Sequence, residues 1–122
     1  LTDGERILQS YPFQLSGGMQ QRLAIALSLI LKPSIVFADE PTSALDMLVQ
    51  ASVLDLMKEV TQALGATVII VTHNIKAAAR IANSIGVMNK GQLVEVGSTE
   101  EVMAHPKDKY TRVLLDSVMK VV

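Results

Sequence analysis

Asp39 and Glu40 stand side by side at the end of the apolar run 34–38, and upstream of them Ser16, Gly17 and Gly18 open a long helical run. Both groups suit phosphate chemistry. In an open parallel sheet, ligands gather at the carboxyl ends of the strands, so residues just after an apolar strand are where chemistry concentrates. Side chains alternate along a strand, so the two acids point different ways: one can hold a metal while the other faces a water. A carboxylate that holds Mg²⁺ directly or through its waters neutralises phosphate charge, and a neighbour can orient or deprotonate an attacking water. The plainer alternative is that the pair caps the next helix or is simply solvated. Residues 16–18 offer amide donors at the positive end of a helix dipole, a receptor for terminal phosphate oxygens that the glycines would let come close. Their plainer alternative is an ordinary capped helix start.

His73 follows a second apolar run, 67–71, and is expected on the same sheet edge as the acids. An imidazole there could bond a phosphate oxygen or steady the water beside Glu40, or else bond backbone in a loop. His105, before Pro106 on a polar stretch, receives no role, and with no clustered His or Cys a zinc site is not expected. Asp46 lies three residues after Ser43, and either could cap the helix that follows.

The elements that must position these groups follow from pattern. Residues 1–14 read as a tail or broken helix end, with Tyr11 held out of helix by Pro12. From Ser16 a helix is expected through Leu31, its apolar face carried by Leu23, Ala26, Leu27 and Ile30, stopped by Lys32 and Pro33. Residues 34–38 and 67–71 read as strands buried on both faces. Between them, residues 47–64 form a helix with Val49, Val53, Leu56, Met57, Val60 and Leu64 on one side and Gly65 as its C-terminal cap. A small-residue helix through Asn83 precedes a strand at 85–88, a turn at 89–91 and a half-exposed hairpin partner at 92–96. Ser98 to Glu101 reads as a capping box, Pro106 ends the short helix after it, and Tyr110, Val113, Leu114 and Val118 mark a closing helix. Strands alternating with helices predict an α/β fold: a parallel sheet flanked by helices, with a C-terminal β-hairpin.

The 122 residues carry a net charge of -1, which supplies no basic field for a nucleic acid. There is no cysteine for a disulfide or thiolate site. No apolar run reaches the roughly 20 residues a membrane span needs and no signal peptide is visible, so the chain is expected to be soluble or to reach a membrane through partners.

The motifs in order resemble the C-terminal part of ATP-binding cassette (ABC) ATPase subunits. LSGGMQQR resembles the family's signature motif, IVFADE its Walker B strand with the following glutamate, SALD at 43–46 its D-loop, and His73 its switch histidine. The resemblance implies that Asp39 helps hold Mg²⁺ through its water shell, Glu40 is the general base and His73 contacts the γ-phosphate of ATP. It implies that Ser16, Gly17 and Gly18 bind ATP seated on the opposite subunit of a head-to-tail dimer, with Asp46 at that interface. It divides the chain into 1–14, the tail of a helical subdomain; 15–97, the C-terminal part of the ATPase core; and 98–122, C-terminal helices. YPFQLSGGMQQR and HPKDKYTRVLLDSV further resemble the oligopeptide, dipeptide and nickel importer branch, departing from it through the inserted Lys107, Asp108 and Lys109 and through Asn74 in place of an aspartate. The partners implied are a second ATP-binding subunit and transmembrane permease subunits, at the cytoplasmic face of a membrane.

No GxxxxGK[ST] phosphate loop occurs in the sequence, and the family's base-stacking aromatic and Q-loop glutamine have no counterpart. The expectation is therefore a partial P-loop NTPase-like three-layer fold, a fragment with its phosphate-loop strand missing. Such a chain should not hold Mg-ATP in its own site. The absent strand would lie between 67–71 and 85–88, leaving apolar edges through which the chain could self-associate. Alternatives are a fragment of a non-transport ABC ATPase, of DNA repair or translation type, and a silent module lending its signature face to a partner.

Overall fold

A computed structural model describes residues 4–119. Two compact units divide the chain, one ending at Val71 and the other beginning at Thr72. Among the described residues no helix is long and apolar enough to cross a membrane.

The described part of the first unit starts with α1 (Gly4–Leu8) and a single 3-10 turn, Pro12–Gln14, in the stretch expected as a tail or a broken helix end. Helix α2 (Gly17–Leu29) follows, then β1 (Ile35–Asp39), α3 (Met47–Leu64) and β2 (Thr67–Val71). Helix α3 and β2 have the bounds expected of them, and Gly65 closes α3 in the left-handed conformation at φ 66°. β1 and β2 pair in parallel from Ile35 opposite Thr67 to Asp39 opposite Val71. Thr67 N donates to Ser34 O and Glu40 N to Val71 O, extending the ladder at both ends.

Three expectations fail here. The α2 face is misplaced, since Leu27 is 62% and Ile30 71% exposed while Ile25 and Leu29 are buried. The helix is apolar around most of its circumference, so periodicity could not choose a face; contact with α3 through Gly18 chooses it. The helix is also shorter than expected, because the left-handed Lys32 at φ 49° turns the chain before Pro33. Neither strand is buried on both faces: Val36, Ala38, Val68 and Ile70 are half-buried, but Ile35, Phe37, Ile69 and Val71 are exposed. A continuous apolar run shows what a strand could bury, not what covers it.

The second unit holds α4 (Ile75–Ile81), β3 (Ser84–Asn89), β4 (Gln92–Ser98), α5 (Thr99–Ala104) and α6 (Lys109–Met119). β3 and β4 form an antiparallel hairpin of their own, with a bulge between Val87 and Met88. Each described sheet thus has two strands. The hairpin turns through Lys90 at φ 49° and Gly91 at φ 78°, the two positive angles of a tight primed turn. Ile85, Val87 and Val102 form its core, packed by Ala79, Ala82, Val94, Met103 and Leu114. Burying side chains of this size stabilises by about 1.5–3 kcal/mol each. The capping box at α5 is present as expected, with Glu101 N donating to Ser98 Oγ and Ser98 N to Glu101 Oε2. The face of α6 is rotated from expectation: Thr111 and Leu115 are buried, whereas Val113 is 59% exposed.

Candidate functional site

Ser16 is the N-cap of α2, its Oγ accepting from Met19 N at 3.3 Å. Gln20 Nε2 reaches back to Pro12 O at 2.7 Å and Leu15 O at 3.2 Å, tying the preceding turn to the helix start. The first amides of an α-helix have no acceptor within the helix, so those of Gly17 and Gly18 leave α2 at its positive end.

The glycines have a packing reason that the sequence reading did not find. A Cβ on Gly17 would stand 3.3 Å from Leu45 Cδ2, and one on Gly18 would stand 2.6 Å from Val49 Cγ1. At Gly18, α2 and α3 leave no room for a side chain. The turn before α3 and the start of α2 are thereby held together, which places residues 16–18 beside the segment around Asp46.

Glu40 follows β1 with φ 44°, a left-handed angle uncommon outside glycine. Such a conformation costs about 1–2 kcal/mol and persists only where its surroundings impose it. Here Glu40 N is held by Val71 O at 2.8 Å while Glu40 O accepts from Ser43 N at 3.3 Å and Ser43 Oγ at 3.2 Å. The chain therefore reverses immediately after the strand, leaving Asp39 exposed at its end and Glu40 in the turn. Buried Thr42 secures that turn, its Oγ1 accepting from Gln50 Nε2 at 2.8 Å. No sequence pattern flags a pair eight residues apart.

Asp46 takes the role of its plainer alternative. Its Oδ1 accepts from Leu48 N and Val49 N, both at 3.1 Å, and caps α3. His73 is the second residue of the second unit and is exposed. Asn74 after it caps α4, its Oδ1 accepting from Ala77 N at 3.1 Å while its own N–H donates to Thr72 Oγ1 at 3.0 Å. Asparagine and aspartate cap helices about equally well, so the departure at this position keeps the local geometry.

Among the described residues no group of three or more His, Cys, Asp or Glu side chains could cage a metal. A lone exposed carboxylate such as Asp39 fits a different role. Mg²⁺ keeps several waters and is commonly bound by one or two carboxylates with substrate phosphates. The acid pair lies at a strand end, a left-handed turn separates its members, and α2 opens on two glycines behind a serine cap.

Residues 6–78 match the family described as "AAA domain, putative AbiEii toxin, Type IV TA system". The chain is 50% identical over 117 residues to the dipeptide transport ATP-binding protein DppD of Caldanaerobacter subterraneus, covering 96% of this chain and 36% of that protein. It is 45% identical over 121 residues to the metal-staphylopine import system ATP-binding protein CntD of Staphylococcus aureus, covering 99% of this chain and 45% of that one. It is 46% identical over 113 residues to the oligopeptide transport ATP-binding protein OppD of Lactococcus lactis, covering 93% of this chain and 33% of that one. The chain thus spans between a third and half of the length of these curated relatives.

Proposed function

This chain belongs to the AAA-domain family and is a homologue of the ATP-binding subunits of ABC transporters, and on that premise we propose that it carries the signature and acid-pair half of an ATP-hydrolysing importer subunit. In the intact subunit, ATP hydrolysis is coupled to uptake of a peptide or a chelated metal, the two solute classes named for its relatives. Asp39 would hold the water shell of Mg²⁺, Glu40 would take the proton of the attacking water, and His73 would contact the γ-phosphate. Ser16, Gly17 and Gly18 bind the γ-phosphate of ATP on a partner subunit, and Asp46 lies at that subunit interface. Permease subunits anchor the assembly at the cytoplasmic face of the membrane. Residues 1–14 belong to a helical subdomain, 15–97 to the ATPase core and 98–122 to C-terminal helices.

One observation carries this reading. Gly17 and Gly18 abut Leu45 and Val49 on either side of Asp46, so the amides that would meet a partner's phosphate lie beside the segment that would meet the partner itself. The left-handed turn at Glu40 adds support, since strained backbone clusters at functional sites. Mg²⁺ supplies charge neutralisation when bound; the chain's own groups orient water and phosphate.

The test mixes the 122-residue chain with a complete homologous subunit loaded with Mg-ATP and disabled in hydrolysis. ATP-dependent association, weakened by Ser16→Arg, is expected. The chain alone should neither bind nor hydrolyse ATP, because no phosphate loop occurs within it. Hydrolysis by the purified chain, or association indifferent to ATP and to Ser16, would overturn the proposal.

A further inference from the structure

Glu95 on β4 reaches the connection between α5 and α6, where its Oε1 accepts from Lys107 N at 2.8 Å and its Oε2 from Asp108 N at 3.0 Å. Arg112, in the first turn of α6, grips the same connection through its other polar groups. Its Nε donates to Pro106 O at 3.1 Å and its Nη2 to Lys107 O at 2.7 Å. Asp108 Oδ1 completes the arrangement by accepting from Tyr110 N at 2.7 Å and Thr111 N at 3.4 Å, the cap at the start of α6. Two oppositely charged side chains thus satisfy four consecutive backbone polar groups of a connection with no secondary structure of its own.

We propose that Glu95 and Arg112 form a latch that fixes α6 to the hairpin, so that α6 docks or is released as one body. The amides of Lys107 and Asp108 are what the latch holds. The physical basis is that an amide can be gripped from outside only where no ladder already uses it, and residues 106–108 lie between two helices. Charge-assisted hydrogen bonds are the strong ones, and here the acceptor of one pair and the donor of the other are both ionised. The Thr111 hydroxyl, fully buried, faces Glu95 without a well-formed hydrogen bond, so the latch rests on the two amides. Those amides, of Lys107 first and Asp108 second, hold the Glu95 carboxyl below its ordinary value, with smaller support from the Thr111 side chain and the Lys107 charge.

Amide hydrogen exchange in the 122-residue chain tests this. In the native chain, the amides of Lys107 and Asp108 should be protected although they belong to no helix or strand, and Glu95→Ala should speed their exchange by about tenfold or more. Glu95→Gln keeps one carbonyl acceptor and should deprotect one of the two amides. The cross-strand amides of β3 and β4 should be unchanged. A titration of the unsubstituted chain gives a reading independent of any variant's folding: the resonances of both amides should follow one carboxyl whose midpoint lies below the ordinary 4.5. The charged neighbour acting on this carboxyl is Lys107, and the amide of Asp108 is one of its donors. Asp108→Asn should leave the midpoint in place. Unprotected amides at 107 and 108, or a midpoint moved by Asp108→Asn, would overturn the latch.

Discussion

In the first unit, Ile35 and Phe37 on β1 lie open beside Ile69 and Val71 on β2, whereas in the second Ile85 and Val87 on β3 are shut beneath Val102. Both units are built on two strands. The hairpin closes its apolar face with α5, which follows β4 directly, and with α6, joined to α5 by residues 105–108, so its packing is local in sequence. The parallel pair needs a crossover helix to exist at all, and α3 covers one face only. The residues proposed for chemistry nearly all lie in the unit that leaves apolar surface exposed. Small hydrophobic cores stabilise weakly, so the site's parts depend on local devices: the Ser16 and Asp46 caps, the Thr42–Gln50 bond and the close approach at Gly18.

The sharpest break of this contrast concerns assembly. Phe37 is 74% exposed, and the two edges of a two-stranded sheet carry unpaired backbone groups. The chain should self-associate, and Phe37→Lys should shift its elution in size-exclusion chromatography towards the monomer while changing stability by no more than about 0.5 kcal/mol. The equivalent change at exposed Met88 of the hairpin should leave the elution as it was. A native chain that runs as a monodisperse monomer removes the basis of the comparison.

Next in size is Gly18→Ala. Helix propensity alone would favour alanine by about 1 kcal/mol, yet the new Cβ meets Val49 Cγ1 at 2.6 Å. Overpacking of this kind costs about 1–3 kcal/mol, so net destabilisation by denaturant titration is expected. Val49→Ala added to it should recover much of the loss. Gly4→Ala, with open space around it, should show none. If the double variant does not recover stability, Gly18 is not set by its contact with α3.

Caps compare the units more evenly. Asp46→Ala in the first and Ser98→Ala in the second should each lower stability by about 1 kcal/mol, because each removes the acceptor for first-turn amides. If the first unit depends more on such devices, Asp46→Ala should deprotect β1 and β2 amides, while Ser98→Ala leaves β3 and β4 protected.

The sequence made legible what is decided locally. α3 with Gly65, the strand at 67–71, the hairpin turn and the Ser98 capping box all follow from residues within a few positions of one another. The apolar faces of α2 and α6 and the coverage of the strands were not legible, because they depend on which surface comes to meet them. In α2 the clue was present but spoke of something else: glycines that suit a phosphate also suit Val49. The acid pair could be found by its place after a strand. The left-handed turn that separates its members, and the grip of Glu95 on Lys107 and Asp108, could not, since neither residue type nor spacing encodes them.

The smallest effect discriminates most finely between the two units. Glu40 at φ 44° and Lys90 at φ 49° share one strained conformation, one at the end of β1 and the other in the hairpin turn. Glycine relieves about 1–2 kcal/mol of strain at such a position and gives back about 0.5–1 kcal/mol through its freer unfolded chain. Glu40→Gly and Lys90→Gly should therefore each stabilise by about 0.5–1 kcal/mol, read as a higher denaturation midpoint at constant slope. Lys90 has no proposed chemical role, so a left-handed lysine there is ordinary turn geometry. At Glu40 the same gain would come with loss of the proposed general base. Should Glu40→Gly destabilise while Lys90→Gly stabilises, the Glu40 side chain contributes to folding, and strain at that turn ceases to be evidence of function.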